Sequence, residues 1–191
     1  MKFIIEHLEK ELYDWCLIEY EHISKIVGKE NLIFTNVSSK DVWKLDKYGI
    51  VHVESFSDLD FDKICVLSQY AEGGLSQEDA AKFDYFLFGG ILGDNPAKKR
   101  TNELIDKLKK SGKHYGTRNL TDKQMPTDVA VFAAKKVLEG AKISDLKFVD
   151  EVEIQIKEGE STVLPFRYVV DGKKAVISEK MVEYLRKKKG F

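Results

Sequence analysis

No part of this 191-residue chain is apolar over the roughly 20 residues that a membrane-spanning helix needs. The first ten residues carry four charges and no apolar core, so a secretory leader is not expected and the cytosol is the expected compartment. Cysteine is nearly absent. Cys16 and Cys65 lie far apart among apolar neighbours, which excludes a disulfide framework and marks both as small buried residues. The four histidines, His7, His22, His52 and His114, show no metal-ligand spacing, and no metal is expected. Net charge is also lacking: 31 basic and 32 acidic residues leave −1, which argues against broad attraction to nucleic acid. There is no internal repeat, no low-complexity tract and no Pro-, Gly- or Ser-rich linker. With 43% hydrophobic residues the chain has material for a core, and residues 1–191 read as one domain.

Helical and strand patterns alternate along the chain. A short strand at Lys2 to Ile5 precedes a helix over Glu11 to Val27, stopped by Gly28. Leu32 to Val37 is rich in β-formers. A short helix is expected over Asp41 to Lys47 with Ser39 as its cap, then a strand at Ile50 to Val53. Lys63 to Leu67 and Tyr85 to Phe88 are continuous apolar runs, as in strands buried on both faces of a parallel sheet. A helix over Gln77 to Lys82 lies between them. Further helices are expected over Pro96 to Lys110, capped by Asn95, and over Thr127 to Glu139, with a strand at His114 to Gly116 between them. Val152 to Ile156 alternates, Val163 to Val170 is β-rich, Asp171-Gly172 is a hairpin turn, and Ser178 to Lys189 is a final helix. The expected fold is α/β: a mainly parallel sheet with helices on both faces, a late β-hairpin and a C-terminal helix.

Ligands of open α/β sheets bind at the carboxyl ends of the strands. Three loops qualify: Ser68 to Leu75, Gly89 to Asn95, and Arg118 to Thr127. Glycines 73, 74, 89, 90 and 93 lie in them and let a backbone approach a ligand closely. A dinucleotide loop does not fit, because Phe88 stands where the first glycine of GxGxxG belongs. Asp94 at the expected helix start also places a carboxylate where a phosphate would bind. A cationic ligand, or one rich in hydroxyl and amino donors, is compatible. S-adenosylmethionine (SAM), with a sulfonium, an amino group and no phosphate, is of that kind. Asp94 as a plain helix cap is the competing reading. In the third loop, Leu120 and Met125 are placed to flank an adenine, amid Arg118, Asn119, Gln124, Thr127 and Asp128.

FDYFLFGGILGDNP, Arg100-Thr101, RNL, QMPTD and PFRYVVD, together with the opening FIIEHLE and WCLIEYEHISKIVGKENL, resemble a small family of predicted SAM-dependent methyltransferases of the SPOUT class. The resemblance covers nearly the whole chain. It implies an α/β fold with a deep trefoil knot whose loops hold the cofactor in a bent shape. It further implies cofactor contacts from Ser68, Gln69, Gly89, Gly90, Leu92, Gly93, Leu120, Gln124, Met125 and Thr127. The appended RNA-binding domain of many SPOUT enzymes is not found.

Methyl transfer is an in-line displacement, and a carboxylate can orient the acceptor nitrogen and take its proton. Asp94 is the first candidate, followed by Asp128, Glu6 and Glu19. Arg100 is a candidate for steadying the cofactor carboxylate or a substrate group. Pro165, Phe166, Arg167 and Tyr168 match the family without an assignable role. The resemblance implies a macromolecular acceptor in the translation machinery: an arginine of a ribosomal protein, which near-neutral charge favours slightly, or rRNA or tRNA. A non-catalytic SAM-binding or ribosome-assembly module stays open, as does the choice of monomer or homodimer.

Overall fold

The short apolar runs become strands of one six-stranded sheet in which every neighbouring pair is parallel. The computed structural model describes residues 1–90 and 100–188. The sheet contains β1 (Lys2–His7), β2 (Leu32–Thr35), β3 (Ile50–Val51), β4 (Ile64–Leu67), β5 (Tyr85–Gly90) and β6 (Tyr115–Arg118), in spatial order β3-β2-β1-β5-β4-β6. The two-residue period of a strand divides its apolar side chains between two cores. Phe3, Ile5, Phe34, Cys65, Phe86 and Phe88 join one core, while Ile4, Ile33, Ile64, Val66 and Leu87 join the other.

Helices cover both faces. The first core is closed by α1 (Asp14–Val27) and α5 (Thr127–Leu138), which pack on each other, and by α6 (Glu179–Lys188). The second is closed by α4 (Thr101–Ser111), through Leu104 and Leu108, and by Phe56. Two short helices, α2 (Val42–Leu45) and α3 (Asp79–Lys82), complete the set. The expected cap Asn95 and first-turn Pro96 lie outside the described residues, as does Lys189 at the expected end of the last helix.

Several expectations shift. The first helix starts at Asp14 instead of Glu11. Ser39 does not cap α2: it opens a 3-10 turn, Ser39–Asp41, which leads into the helix. The strand expected at His114 to Gly116 is Tyr115–Arg118. The β-rich run Val163 to Val170 is split at Pro165, whose missing N–H suits the end of a strand. Its halves, β9 (Glu160–Leu164) and β10 (Tyr168–Asp171), enter different sheets. Here β7 (Lys147–Val149), β10 and β11 (Lys174–Ala175) form one antiparallel sheet, and β8 (Val152–Lys157) pairs with β9 in another. The late hairpin is present with its turn one residue later than expected. Asp171 pairs with Lys174, and Gly172, at φ +63°, takes the left-handed position of the turn. Ile154, Leu164, Tyr168, Met181 and Leu185 from this module join the same apolar cluster as α1 and α5.

The N-terminal candidate Glu6 has a structural place. It is fully buried in β1, where its carboxylate accepts hydrogen bonds from Thr35 Oγ1 (2.6 Å), Ser55 Oγ (2.6 Å), the Phe56 amide (3.2 Å) and Lys107 Nζ (2.6 Å). One side chain therefore ties β1, β2, the 55–58 turn and α4 together. Truncating one partner of such a network leaves the others unpaired in a dry interior. Glu6→Ala is expected to lower unfolding stability by about 3 kcal/mol in urea titration, and a loss below about 1 kcal/mol would show that water replaces the carboxylate.

On the far side, Lys180 of α6 donates to both carboxylate oxygens of Glu21 in α1 at 2.7 Å. Lys180, then Lys25, hold the Glu21 carboxyl down at about 2, against an ordinary 4.5. The folded state thus binds this proton less readily than the unfolded chain, so the stabilisation is present above about pH 4.5 and is lost as pH falls toward 2. Melting temperature is expected to fall through that window, and less steeply in Lys180→Ala.

Candidate functional site

A cleft opens at the carboxyl ends of the central strands, lined by the residues that follow β4, β5 and β6. Leu67, Phe88, Leu120, Met125 and Ala130 supply apolar surface, while Ser68, Gln69, Gln124, Thr127 and the Gly89 backbone supply polar groups. Seven of the residues expected to bind a cofactor therefore meet in one place: Ser68, Gln69, Gly89, Leu120, Gln124, Met125 and Thr127. Leu92, Gly93 and Asp94 lie outside the described residues. Thr101 of the Arg100-Thr101 motif also lines the cleft, as do Tyr70, Thr121 and Lys123, which were not singled out in the sequence. Their adjacency to the strand ends was the available signal.

The walls are laced together from behind. Beyond β4 and β6, Gly74 and Asn119 form a parallel bridge, and the Asn119 side chain donates to the Ala71 carbonyl (2.5 Å). Arg118 reaches back to Asp79 through two bonds of 3.0 and 2.9 Å. Burial works against the Asp79 charge, but the Arg118 guanidinium outweighs it and holds this carboxyl below its ordinary range. The opposite wall, residues 120–125, is braced by the C-terminal module. The Arg167 amide donates to the Gln124 carbonyl (2.9 Å), and its guanidinium pairs with Asp150 (2.7 Å) and Asp122 (3.2 Å). Arg167, then Lys123, hold Asp150 at about 2. This supplies the role that the sequence did not assign to Arg167.

Three expected site residues also make contacts within the fold. Pro126 holds the cap position, and the Thr127 hydroxyl crosses to donate to the Gly89 carbonyl (3.2 Å). Gly90 is turned into the core: a Cβ there would stand 2.3 Å from the Tyr20 hydroxyl oxygen and 2.8 Å from an Ile5 methyl. Arg100 extends to Glu9, with its Nη1 3.3 Å from the carboxylate.

Asp128 stands one residue from the cleft and is buried. One of its oxygens accepts the Val129 amide (2.8 Å) and the other is 2.7 Å from His22 Nδ1. Glu19 on α1 is buried close by. Burial, reinforced by the negative charge of Asp128, holds its carboxyl well above the usual carboxylate range. Its Oε2 has no hydrogen-bond partner among the described residues. Tyr168 of β10 feels both carboxyls: burial first, then Asp128 and Glu19, raise its hydroxyl pKa. Burial also pushes the Cys16 and Cys65 thiols up to about 12, which leaves no nucleophilic thiolate at neutral pH. Among the described residues no group of histidine, cysteine, aspartate or glutamate is arranged to hold a metal ion.

Comparison with known proteins places this architecture. Residues 2–190 match the family model described as protein arginine N-methyltransferase SFM1-like. Protein arginine N-methyltransferase SFM1 of Saccharomyces cerevisiae is 38% identical over 205 residues, covering 98% of this chain and 95% of that protein. The crystal structure of the yeast arginine methyltransferase SFM1 complexed with SAM superposes with a TM-score of 0.87 at 36% identity, over 98% of this chain and 90% of that one. A dual-specific Trm10 from Thermococcus kodakaraensis shares the fold alone, with a TM-score of 0.61 at 18% identity over 76% of this chain and 96% of that one. With the family model spanning residues 2–190 and the yeast protein 38% identical over 98% of the chain, this chain belongs to the SFM1-like family of protein arginine N-methyltransferases.

Proposed function

We propose that this protein transfers a methyl group from SAM to an arginine side chain of a ribosomal protein, in the cytoplasm. The observation that carries the proposal is the cleft itself. It sits at the carboxyl ends of β4, β5 and β6, and its chemistry fits this cofactor. Leu67, Phe88, Leu120, Met125 and Ala130 offer a slot for an adenine. Ser68, Gln69, Gln124 and Thr127 offer partners for ribose hydroxyls and the amino-acid end. Among the described residues the one cationic side chain in the lining, Lys123, is paired with Asp150 at 2.5 Å, which disfavours a phosphate ligand. The yeast relative is described in complex with SAM and named for arginine methylation, which supports the same assignment here. We also infer the trefoil knot of the SPOUT class, supported by the lacing of the Ser68–Gly74 loop onto Asn119 beyond the strand ends.

Bound SAM supplies an electrophilic methyl group on a sulfonium sulfur. What remains for the chain is positioning: the two laced walls fix the cofactor, and buried carboxyls beside the cleft hold a cationic acceptor. From the sequence, Asp94 is assigned to the acceptor nitrogen, and Arg100 to the cofactor carboxylate or a substrate group.

Calorimetric titration with SAM is expected to give a dissociation constant near the micromolar range, about −8 kcal/mol. Met125→Glu is expected to weaken it at least tenfold, about 1.4 kcal/mol. Folded protein that does not bind SAM overturns the proposal. With labelled SAM, label is expected in the protein fraction of ribosomes, and label confined to RNA would move the acceptor to RNA.

A further inference from the structure

We propose that Glu19 and Asp128 form the binding site for the acceptor guanidinium, with Glu19 as its buried anchor. The proposal rests on the arginine reading above and assigns that reading its acceptor residues.

Three observations carry it. The first is an anomaly of burial. Glu19 is 5% exposed, and its Oε2 has no hydrogen-bond partner among the described residues. Buried carboxyl oxygens in native proteins are paired, and an orphan is a destabilising feature that calls for a reason. The second is charge. Asp128, also 5% exposed, acts electrostatically on Glu19, and no lysine or arginine is bonded to either carboxyl among the described residues. Burial and the neighbouring Asp128 hold the Glu19 carboxyl well above the usual carboxylate range, an unfavourable pairing of two acids that a guanidinium placed between them relieves. The third is place. Tyr20, next to Glu19, lies against Gly90, and Thr127, next to Asp128, bonds Gly89. The helix turns that carry both carboxyls are therefore held at the end of β5, where Gly89 and Thr127 already line the cofactor cleft. The planar guanidinium, with donors on several edges, satisfies an orphan oxygen and a neighbouring carboxylate together, which a single ammonium does less well.

The step balances. The acceptor nitrogen gives one proton to the Asp128 carboxylate. Its electron pair then forms the N–CH3 bond as the S–CH3 bond breaks, and the sulfur keeps those electrons as a neutral thioether. The product is a methylguanidinium cation. The proton leaves by way of His22, whose Nδ1 is 2.7 Å from Asp128 and whose side chain is 19% exposed.

Glu19→Gln tests the idea, because it keeps shape and removes the acid. In the labelled-methyl assay, Glu19→Gln is expected to lose at least 100-fold in kcat/KM for the ribosomal protein fraction. Its SAM dissociation constant should stay within twofold of wild type, and its melting temperature should be unchanged or higher. A purely structural glutamate would instead lower melting temperature while transfer survived, and that result, or near-wild-type transfer, sinks the proposal. A second measurement does not depend on the acceptor's identity. With S-adenosylhomocysteine present, N-acetyl-arginine amide should perturb the NMR signals of α1 and the start of α5 in the wild type and not in Glu19→Gln, and N-acetyl-lysine amide should do so more weakly. Wild-type protein that binds SAM yet shows no response to the arginine probe overturns the site while leaving the methyltransferase reading standing. Failure to bind SAM overturns the methyltransferase reading itself.

Discussion

The end of β5 is the constraint on which the rest of the molecule depends. This strand is central, paired with β1 on one side and β4 on the other, so its last two residues sit where the helices of one face meet the loops of the carboxyl edge. Gly90 leaves room for the Tyr20 hydroxyl, which in turn contacts His7 at 2.8 Å. Gly89 exposes a carbonyl that takes the Thr127 hydroxyl. Through these contacts α1 and α5 are held against the same strand end, and the residues beside Tyr20 and Thr127 are the two buried carboxyls. A side chain at position 90 would press on Tyr20 and Ile5 together, so glycine there is a packing requirement before it is a ligand requirement.

Ionic groups divide into two kinds around this point. Glu6 and Asp79, both buried, are matched: each carboxylate meets a cation and further donors, and each fastens one element to another. Glu19 is unmatched, in the same interior and at a similar depth. A fold that pairs its other buried acids so thoroughly gains nothing in stability from leaving this one bare. Strain or unpaired charge retained at one location is characteristic of sites where binding of something else completes the pairing.

The late antiparallel module also acquires a purpose. It does not extend the parallel sheet. It sends Arg167 to grip the 120–125 loop from outside, while Tyr168, one residue on, turns inward toward Glu19 and Asp128. Arg167, just ahead of β10, thus braces the cofactor wall, and Tyr168, the first residue of the strand, faces the acceptor side. This gives the PFRY segment a physical reason for its composition: a proline that ends β9, an arginine that pairs with Asp150 and Asp122, and a tyrosine that is buried.

The sequence by itself determined the parallel α/β architecture, because apolar runs such as ICVL and YFLF require burial on both faces and amphipathic helices must supply the cover. It also singled out three loops as candidates for ligand binding, since loops after parallel strands share one edge of the sheet, and seven of the residues expected to contact a cofactor line the cleft there. Local signals were less reliable for boundaries and caps: Ser39 has the right chemistry for a helix cap, yet it opens a 3-10 turn ahead of α2, and the Thr127 hydroxyl crosses to Gly89. Only the tertiary structure separated the acidic residues. Glu6 and Glu19 are both carboxylates on apolar-patterned elements and look alike in one dimension. Whether a buried charge is neutralised depends on partners 29 to 101 residues away, such as Thr35, Ser55 and Lys107 for Glu6, and local sequence patterns do not encode those encounters.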